Sequence, residues 1–228
     1  MIRRIFIGLF GVLLLVNLAG AKKIEKAGKI ADGTYIDSEF GFSFEVPDEW
    51  DSSIKKDKSA VRIALTKKEY DIPLHFQHVP SYTTIPKITV YADTTSLALN
   101  QFIDSLLSDK YSTSQKKNIL GEFKILFGDF QLKKNAKKIV GDLAGWKISG
   151  EQKYTVRVTS SGNAGDETSG SFGEYDVITD FYGGSVFFAK YGKTIIMMHF
   201  ICEARYFASM DLEFDDIVKS FKFVKSEG

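Results

Sequence analysis

The chain is 228 residues long, 44% hydrophobic, 14% aromatic and 26% charged, with 30 basic and 29 acidic side chains and one cysteine. That composition excludes a disordered tail protein, a collagen, a disulfide-stapled mini-domain and a polytopic membrane protein. Near-neutrality gives no overall electrostatic case for nucleic acid or for a strongly acidic partner.

The N-terminus has the three parts of a secretory signal peptide: Arg3-Arg4, an apolar run from Ile5 to Leu18, and the small-residue ending Ala19-Gly20-Ala21. The run is fourteen residues long and broken by Gly8, Gly11 and Asn17, short of the roughly 20 apolar residues that span a bilayer. Cleavage after Ala21 is the reading this favours, with residues 1–21 as signal; an uncleaved membrane anchor is the alternative. Cleavage removes two basic residues and leaves 28 against 29 acidic. The lone Cys202 cannot close an internal disulfide, so an exported chain must draw its stability from its core. No Asn-x-Ser/Thr sequon occurs, which favours a bacterial envelope and a periplasmic or secreted location.

Residues 22–33 read as a charged linker, and a single domain is expected over residues 34–226. Phe40, Phe42, Phe44 and Val46 alternate on one face of a strand that Pro47 ends ahead of Trp50. Val61, Ile63 and Leu65 alternate again, and Lys87–Tyr91 is rich in β-branched residues. Leu99, Phe102, Ile103, Leu106 and Leu107 follow helical spacing behind the capping candidates Asp93–Ser96. Further strands are expected over Glu122–Leu132, Lys137–Val140, Trp146–Gly150 and Tyr154–Thr159. Residues 159–174 are rich in glycine and hydroxyl side chains and read as a long flexible loop. Val186–Lys190 and Thr194–Cys202 form a hairpin around Tyr191-Gly192-Lys193, and its second arm is apolar on both faces, as a central strand must be. A second helix follows, with Ser209 as its cap, Asp211 and Glu213 favouring its N-terminal dipole, and Phe214, Ile217, Val218 and Phe221 as its apolar stripe. Strands that succeed one another directly with few helices predict an α+β fold, a mostly antiparallel sheet with helices packed on its faces.

The opening Gly41-Phe42-Ser43-Phe44-Glu45-Val46-Pro47 with Trp50, the turn Gly141-Asp142-Leu143-Ala144, and the ending Phe214-Asp215-Asp216-Ile217-Val218-Lys219-Ser220-Phe221-Lys222-Phe223 resemble, in this order, the PsbP-like and Mog1-like proteins, relatives of the extrinsic photosystem II subunit. The resemblance covers nearly all of the chain after the signal. It implies an α/β/α sandwich around a central antiparallel sheet of about six strands with helices on both faces, in a family of mainly binding and assembly proteins.

Chemistry-bearing candidates are few. His75 and His78 have HxxH spacing, but Pro73 and Pro80 bracket them and no third ligand stands near. His199 and Cys202 suggest a thiol nucleophile, yet a spacing of three on one strand places them on opposite faces. Asp166, Glu167, Glu174, Asp176 and Asp180 gather near the long loop without the spacing of a calcium loop. No nucleophile-elbow, zincin or phosphate-loop pattern occurs. No catalytic residue, metal or cofactor is therefore assigned. Phe172, Tyr175, Phe181 and Tyr182, in or beside the glycine-rich loop, are the candidate binding residues, because exposed aromatics anchor protein interfaces. The expected function is an exported, non-catalytic binding or assembly protein with an envelope protein partner. A peripheral membrane contact is left open and no nucleic acid is expected. A carrier of a small apolar ligand is the alternative, and a hydrolase-type enzyme the third.

Overall fold

The computed structural model describes residues 26–56, 59–71, 85–107, 130–140, 143–159 and 175–224. In chain order the elements are β1 (Lys29–Ala31), β2 (Thr34–Asp37), β3 (Phe42–Glu45), β4 (Trp50–Ile54), β5 (Val61–Lys67), β6 (Lys87–Thr94), α1 (Leu99–Leu107), β7 (Phe130–Val140), β8 (Leu143–Thr159), β9 (Tyr175–Tyr191), β10 (Thr194–Glu203), α2 (Phe207–Ser220) and β11 (Lys222–Phe223). They form a seven-stranded sheet in the order β4-β5-β6-β10-β9-β8-β7 and a four-stranded sheet in the order β1-β2-β3-β11. Every strand pair is antiparallel. The expected antiparallel character holds, but the expected single sheet of about six strands does not: a second sheet has formed from the short N-terminal strands β1, β2 and β3 and the two-residue β11.

Strand β10 organises the core. Side chains alternate across a strand, and here the alternation feeds two apolar clusters. Ile196, Met198, Phe200 and Cys202 pack with Phe214, Ile217 and Val218 of α2 and with Tyr35, Phe42 and Phe44 of the small sheet. Ile195 and Met197 pack with Phe102, Ile103 and Leu106 of α1. The expectation of a strand apolar on both faces is met, since Ile195–Phe200 are all buried.

Strand β5 departs from its sequence pattern. Val61, Ile63 and Leu65 alternate as if to share a face. Yet Val61 stands opposite Tyr91 while Ile63 stands opposite Val90, a bulge at Arg62. Val61 therefore packs against the α1 cluster and Ile63 and Leu65 against the α2 cluster. The extra residue re-aims one side chain, and that side chain is a buried arginine. Arg62 is 1% exposed. Its Nε donates to Asp37 Oδ2 at 2.6 Å and its Nη2 to Glu39 Oε2 at 2.6 Å, while Nη1 donates to Ser59 O at 3.0 Å. Its guanidinium lies 4.8 Å from the centre of the Phe40 ring. Asp37, likewise 1% exposed, also accepts the backbone N–H groups of Glu39 and Phe40 and the Tyr35 hydroxyl. Burial works against the Arg62 charge, but the hydrogen bonds and charges of Asp37 and Glu39 outweigh it and hold its pKa above the usual value. The large and small sheets are thus joined by a charged cluster with its donors and acceptors paired.

Three further expectations are corrected. Residues 22–33 read as a linker, but Lys29–Ala31 is a strand with Ile30 opposite Tyr35, and Ala27 is 2% exposed. The fold thus extends back to Lys26. An edge strand of three residues is held by its main chain and needs no apolar period. Ser209 is not the cap of α2: Tyr206 is, without a side-chain hydrogen bond, and the Ser209 hydroxyl donates to Tyr206 O at 2.9 Å. Phe221 lies just past the helix in extended backbone, with its ring against Phe42, Phe187 and Phe223. Preceding it, Ser220 ties α2 to β3, accepting Glu45 N–H at 2.9 Å and donating to Ile217 O at 2.6 Å. The signal (1–21), residues 160–174 of the expected loop, and the proposed strand residues 122–129 lie outside the described residues.

Two stability outcomes follow. Phe221→Ala should cost about 3–5 kcal/mol, whereas Lys219→Ala, whose amine meets only Asp216 at the surface, should leave the denaturant midpoint unchanged. Arg62→Met leaves the buried Asp37 without its cationic partner, with only the Tyr35 hydroxyl and two backbone N–H groups to donate to it, and should cost about 3–5 kcal/mol, while adding Asp37→Leu to it should recover part of that loss. Urea melts of these four proteins and of Asp37→Leu alone check both; an uncoupled Arg62–Asp37 pair would show that the cluster does not join the sheets.

Candidate functional site

His199 and Cys202 are where a nucleophile would have to be. Cys202 belongs to the cluster against α2, and its Sγ donates to Glu203 O at 3.3 Å. Burial first, then the charges of Asp211 and Glu203, push its thiol up to about 12. His199 stands opposite Thr89 and Val186, and on β10 its odd position puts it on the other face from Cys202. Burial pushes it down to about 4. At neutral pH the pair is a thiol and a neutral imidazole separated by the sheet, the opposite of an activated thiolate beside a base.

Of the four candidate binding aromatics, Tyr182 alone has a side chain among the described residues. Phe172 lies outside the described residues. Tyr175 and Phe181 occupy β9, opposite Thr159 and Lys153. Tyr182 continues β9 between Gln152 and Glu203 and is 3% exposed. The strand runs on through Gly183 because Phe207 of α2 packs where a side chain would be; a Cβ at Gly183 would overlap its ring. Gly183 marks a close approach of helix to strand. Asp176 and Asp180 also lie on β9, opposite Val158 and Tyr154, while Asp166, Glu167 and Glu174, like His75 and His78, fall outside the described residues. Among the described residues no group of three or more His, Cys, Asp and Glu side chains could hold a metal.

Asp211 and Glu213 serve differently from the dipole role expected of them. Lys147 of β8 places its Nζ 2.7 Å from both Asp211 Oδ2 and Asp215 Oδ1, over the Phe214 ring at 5.5 Å. Lys67 of β5 reaches Glu213 Oε2 at 2.6 Å and lies 5.4 Å from the Trp50 ring centre. Sheet lysines thus grip α2 from two strands. Neither lysine carries a sequence signal, because each sits singly in a strand and its partners lie more than sixty residues away. At the end of β10, Glu203 is 1% exposed and pairs with Arg205 at 3.2 Å, while the Tyr70 ring meets Tyr206 edge-on at 6.1 Å. Burial, then the Glu203 charge, raises the Tyr70 hydroxyl pKa well above the ordinary value.

Few large apolar side chains are exposed among the described residues. Tyr191, at the β9–β10 hairpin, is 59% exposed and its ring lies 5.5 Å from that of Phe223. Val224, 43% exposed, follows directly and donates its N–H to Gly41 O at 2.9 Å. The hairpin tip therefore meets β11 through the Tyr191 and Phe223 rings, with Val224 exposed next along the chain. Sequence reading took Tyr191 for a turn residue, and only the docking of β11 beside β3 reveals the contact.

No described protein family matches the sequence, and no curated protein matches it either. Among solved structures the chain is similar to cyanobacterial PsbP (CyanoP) from Synechocystis sp., at 12% identity over 90% of this chain and 95% of that one, with a TM-score of 0.44. It is similar to LpqN, involved in cell envelope biogenesis of Mycobacterium tuberculosis, at 10% identity over 81% of this chain and 83% of that one, with a TM-score of 0.45. It is also similar to the Ran-binding protein Mog1p of Saccharomyces cerevisiae, at 10% identity over 90% of this chain and 98% of that one, with a TM-score of 0.40. PsbP and Mog1 are the two families whose short motifs the sequence resembles. At these scores the likeness extends to the general path of the chain and no further.

The buried imidazole has a consequence for stability. Unfolded, His199 binds a proton below about pH 6.5; folded, it stays neutral down to about 4. Its contribution is therefore complete above pH 6.5 and is lost as pH falls towards 4, amounting to about 2–3 kcal/mol by pH 4.5. Urea melts at pH 7 and 4.5 should show a smaller pH-dependent loss in His199→Gln than in the unaltered protein. Equal losses would mean that His199 is hydrated.

Proposed function

We propose that this is an exported, non-catalytic binding or assembly protein of the cell envelope, and that it contacts a protein partner through the patch of Tyr191, Phe223 and Val224. The observation that carries the reading is the exposed Tyr191 ring lying against Phe223 on a rigid hairpin, the form in which aromatic side chains anchor interfaces at low entropic cost. Supporting it, the single thiol and its neighbouring histidine are each held in their neutral form on opposite faces of β10. Export is supported by the Arg3-Arg4, apolar and Ala-Gly-Ala segments of the N-terminus. No helix among the described residues is long and apolar enough to cross a membrane. The carrier alternative would need space between the large sheet and α2, where Phe200 stacks on Phe207 and Phe214 at 6.0 and 5.4 Å.

Complementation of a deletion strain, with circular dichroism as the folding control, tests the reading. Cys202→Ala, His199→Gln and the double change His75→Ala with His78→Ala should all complement. Tyr191→Ser with Val224→Ser should stay folded and fail. A folded Cys202 or paired-histidine variant that fails would replace this reading with an enzyme or a metal site.

A further inference from the structure

The corner where the chain enters the fold concentrates positive charge. Lys26 and Lys56 face each other in an antiparallel bridge. The main chain enforces the pairing. Ala27 N–H donates to Lys55 O and Lys55 N–H donates to Arg62 O, both at 2.9 Å. The Ala27 carbonyl accepts the Tyr35 hydroxyl at 2.8 Å and Arg62 Nη2 at 3.3 Å. Gly28, at φ 152°, lets the chain pass so close to β2 that a Cβ would stand 2.6 Å from Ile36 O. Like charges directly opposite each other in a sheet are destabilising, and the buried Arg62 cluster holds these two together.

None of Lys26, Lys29, Lys55 and Lys56 forms an ion pair among the described residues. The Lys55 amine meets only Ser53 Oγ, at 3.3 Å. Of the nearby carboxylates, Asp37 and Glu39 are engaged by Arg62 and Asp51 by Lys68, which leaves Asp32, in the turn after β1, against the four lysines. The sequence adds Lys22 and Lys23 before this corner and Lys58 after it, against Glu25 and Asp57, in a chain whose net charge is only +1. Ile30, 37% exposed, stands beside Lys29.

We propose that this corner docks on an anionic lipid surface, with Lys26, Lys29, Lys55 and Lys56 over the headgroups and Ile30 entering the boundary. Overall neutrality conceals the site, since attraction to a charged surface falls off within a Debye length and depends on the charges nearest it. Lysines are point charges without the fork geometry that selects a single carboxylate or phosphate, and they suit a diffuse negative plane. An exposed aliphatic side chain among them is the pattern of interfacial binding. The apolar run Ile5–Leu18 leads to the same corner through residues 19–25, so the contact is available whether that run is retained or cleaved. The lipid contact is separate from the proposed protein partner at Tyr191.

The test uses the exported protein with Ile30→Cys, labelled there with an environment-sensitive fluorophore while Cys202 stays buried. Phosphatidylglycerol vesicles should shift the emission to the blue, phosphatidylcholine vesicles should not, and raised salt should reverse the shift. The same label at Leu212→Cys, exposed on α2, should not respond. Lys26→Gln with Lys56→Gln should weaken the apparent affinity by about fivefold per lysine, about twenty-five-fold together, while Lys219→Gln should not change it. An equal shift with both lipids, or an unchanged affinity in the double variant, overturns the proposal. A response to soluble polyglutamate but not to vesicles overturns it in favour of an acidic protein partner.

Discussion

The guanidinium of Arg62 sits where the two sheets meet, and much of the N-terminal half depends on it. A buried charge is tolerable only when its donors are satisfied and an opposite charge is close. Asp37, Glu39, Ser59 and Ala27 supply those partners from the end of β2, the turn after it, the approach to β5 and the segment before β1. The bulge in β5 that aims Arg62 at them also moves Val61 to the opposite core. The position of the small sheet over the large one, the path of the entering chain and the facing of Lys26 against Lys56 are therefore consequences of a single residue inserted in one strand.

A second set of charges holds the C-terminal helix. Lys67 and Lys147 rise from two strands of the large sheet, one on either side of the apolar contact, and take Glu213, Asp211 and Asp215 of α2. Phe214, Ile217 and Val218 supply the burial between them. The apolar stripe gives most of the adhesion and the lysines fix the rotation of the helix about its axis, since a turn of the helix would separate at least one carboxylate from its amine. That fixed placement carries Phe221 into the core and leads β11 beside β3, which in turn brings Phe223 to Tyr191.

The chemistry-bearing residues are thereby divided from the surface. Among the described residues, Cys202 and His199 lie inside, where low polarity keeps both neutral. The exposed groups the structure singles out include the Tyr191 ring against Phe223 and the lysine corner at Lys26 and Lys56. Both are recognition chemistry, of the apolar and electrostatic kinds respectively, and they occupy different elements. The two contacts can therefore be altered independently by substitution.

The sequence by itself determined the elements whose pattern is periodic and whose burial is one-sided or complete. The Phe42 and Phe44 face, the helix carrying Phe102, Ile103 and Leu106, the doubly buried β10 and the apolar stripe of α2 all announce themselves, because each repeats the period of its own backbone. The opposite facing of His199 and Cys202 followed from the same two-residue period. Tertiary structure decided the rest. The bulge at Arg62, the second sheet, the strand at Lys29–Ala31, the continuation of β9 through Gly183 and the burial of Tyr182 depend on what lies across a gap in the chain: Asp37 twenty-five residues from Arg62, Phe207 against Gly183. The charged grips on α2 and the lysine corner belong to the same class, since a lone lysine in a strand looks solvent-facing until its partner is in place. Periodicity reports which way a side chain points relative to its neighbours in sequence; it carries no information about which distant residue will meet it there.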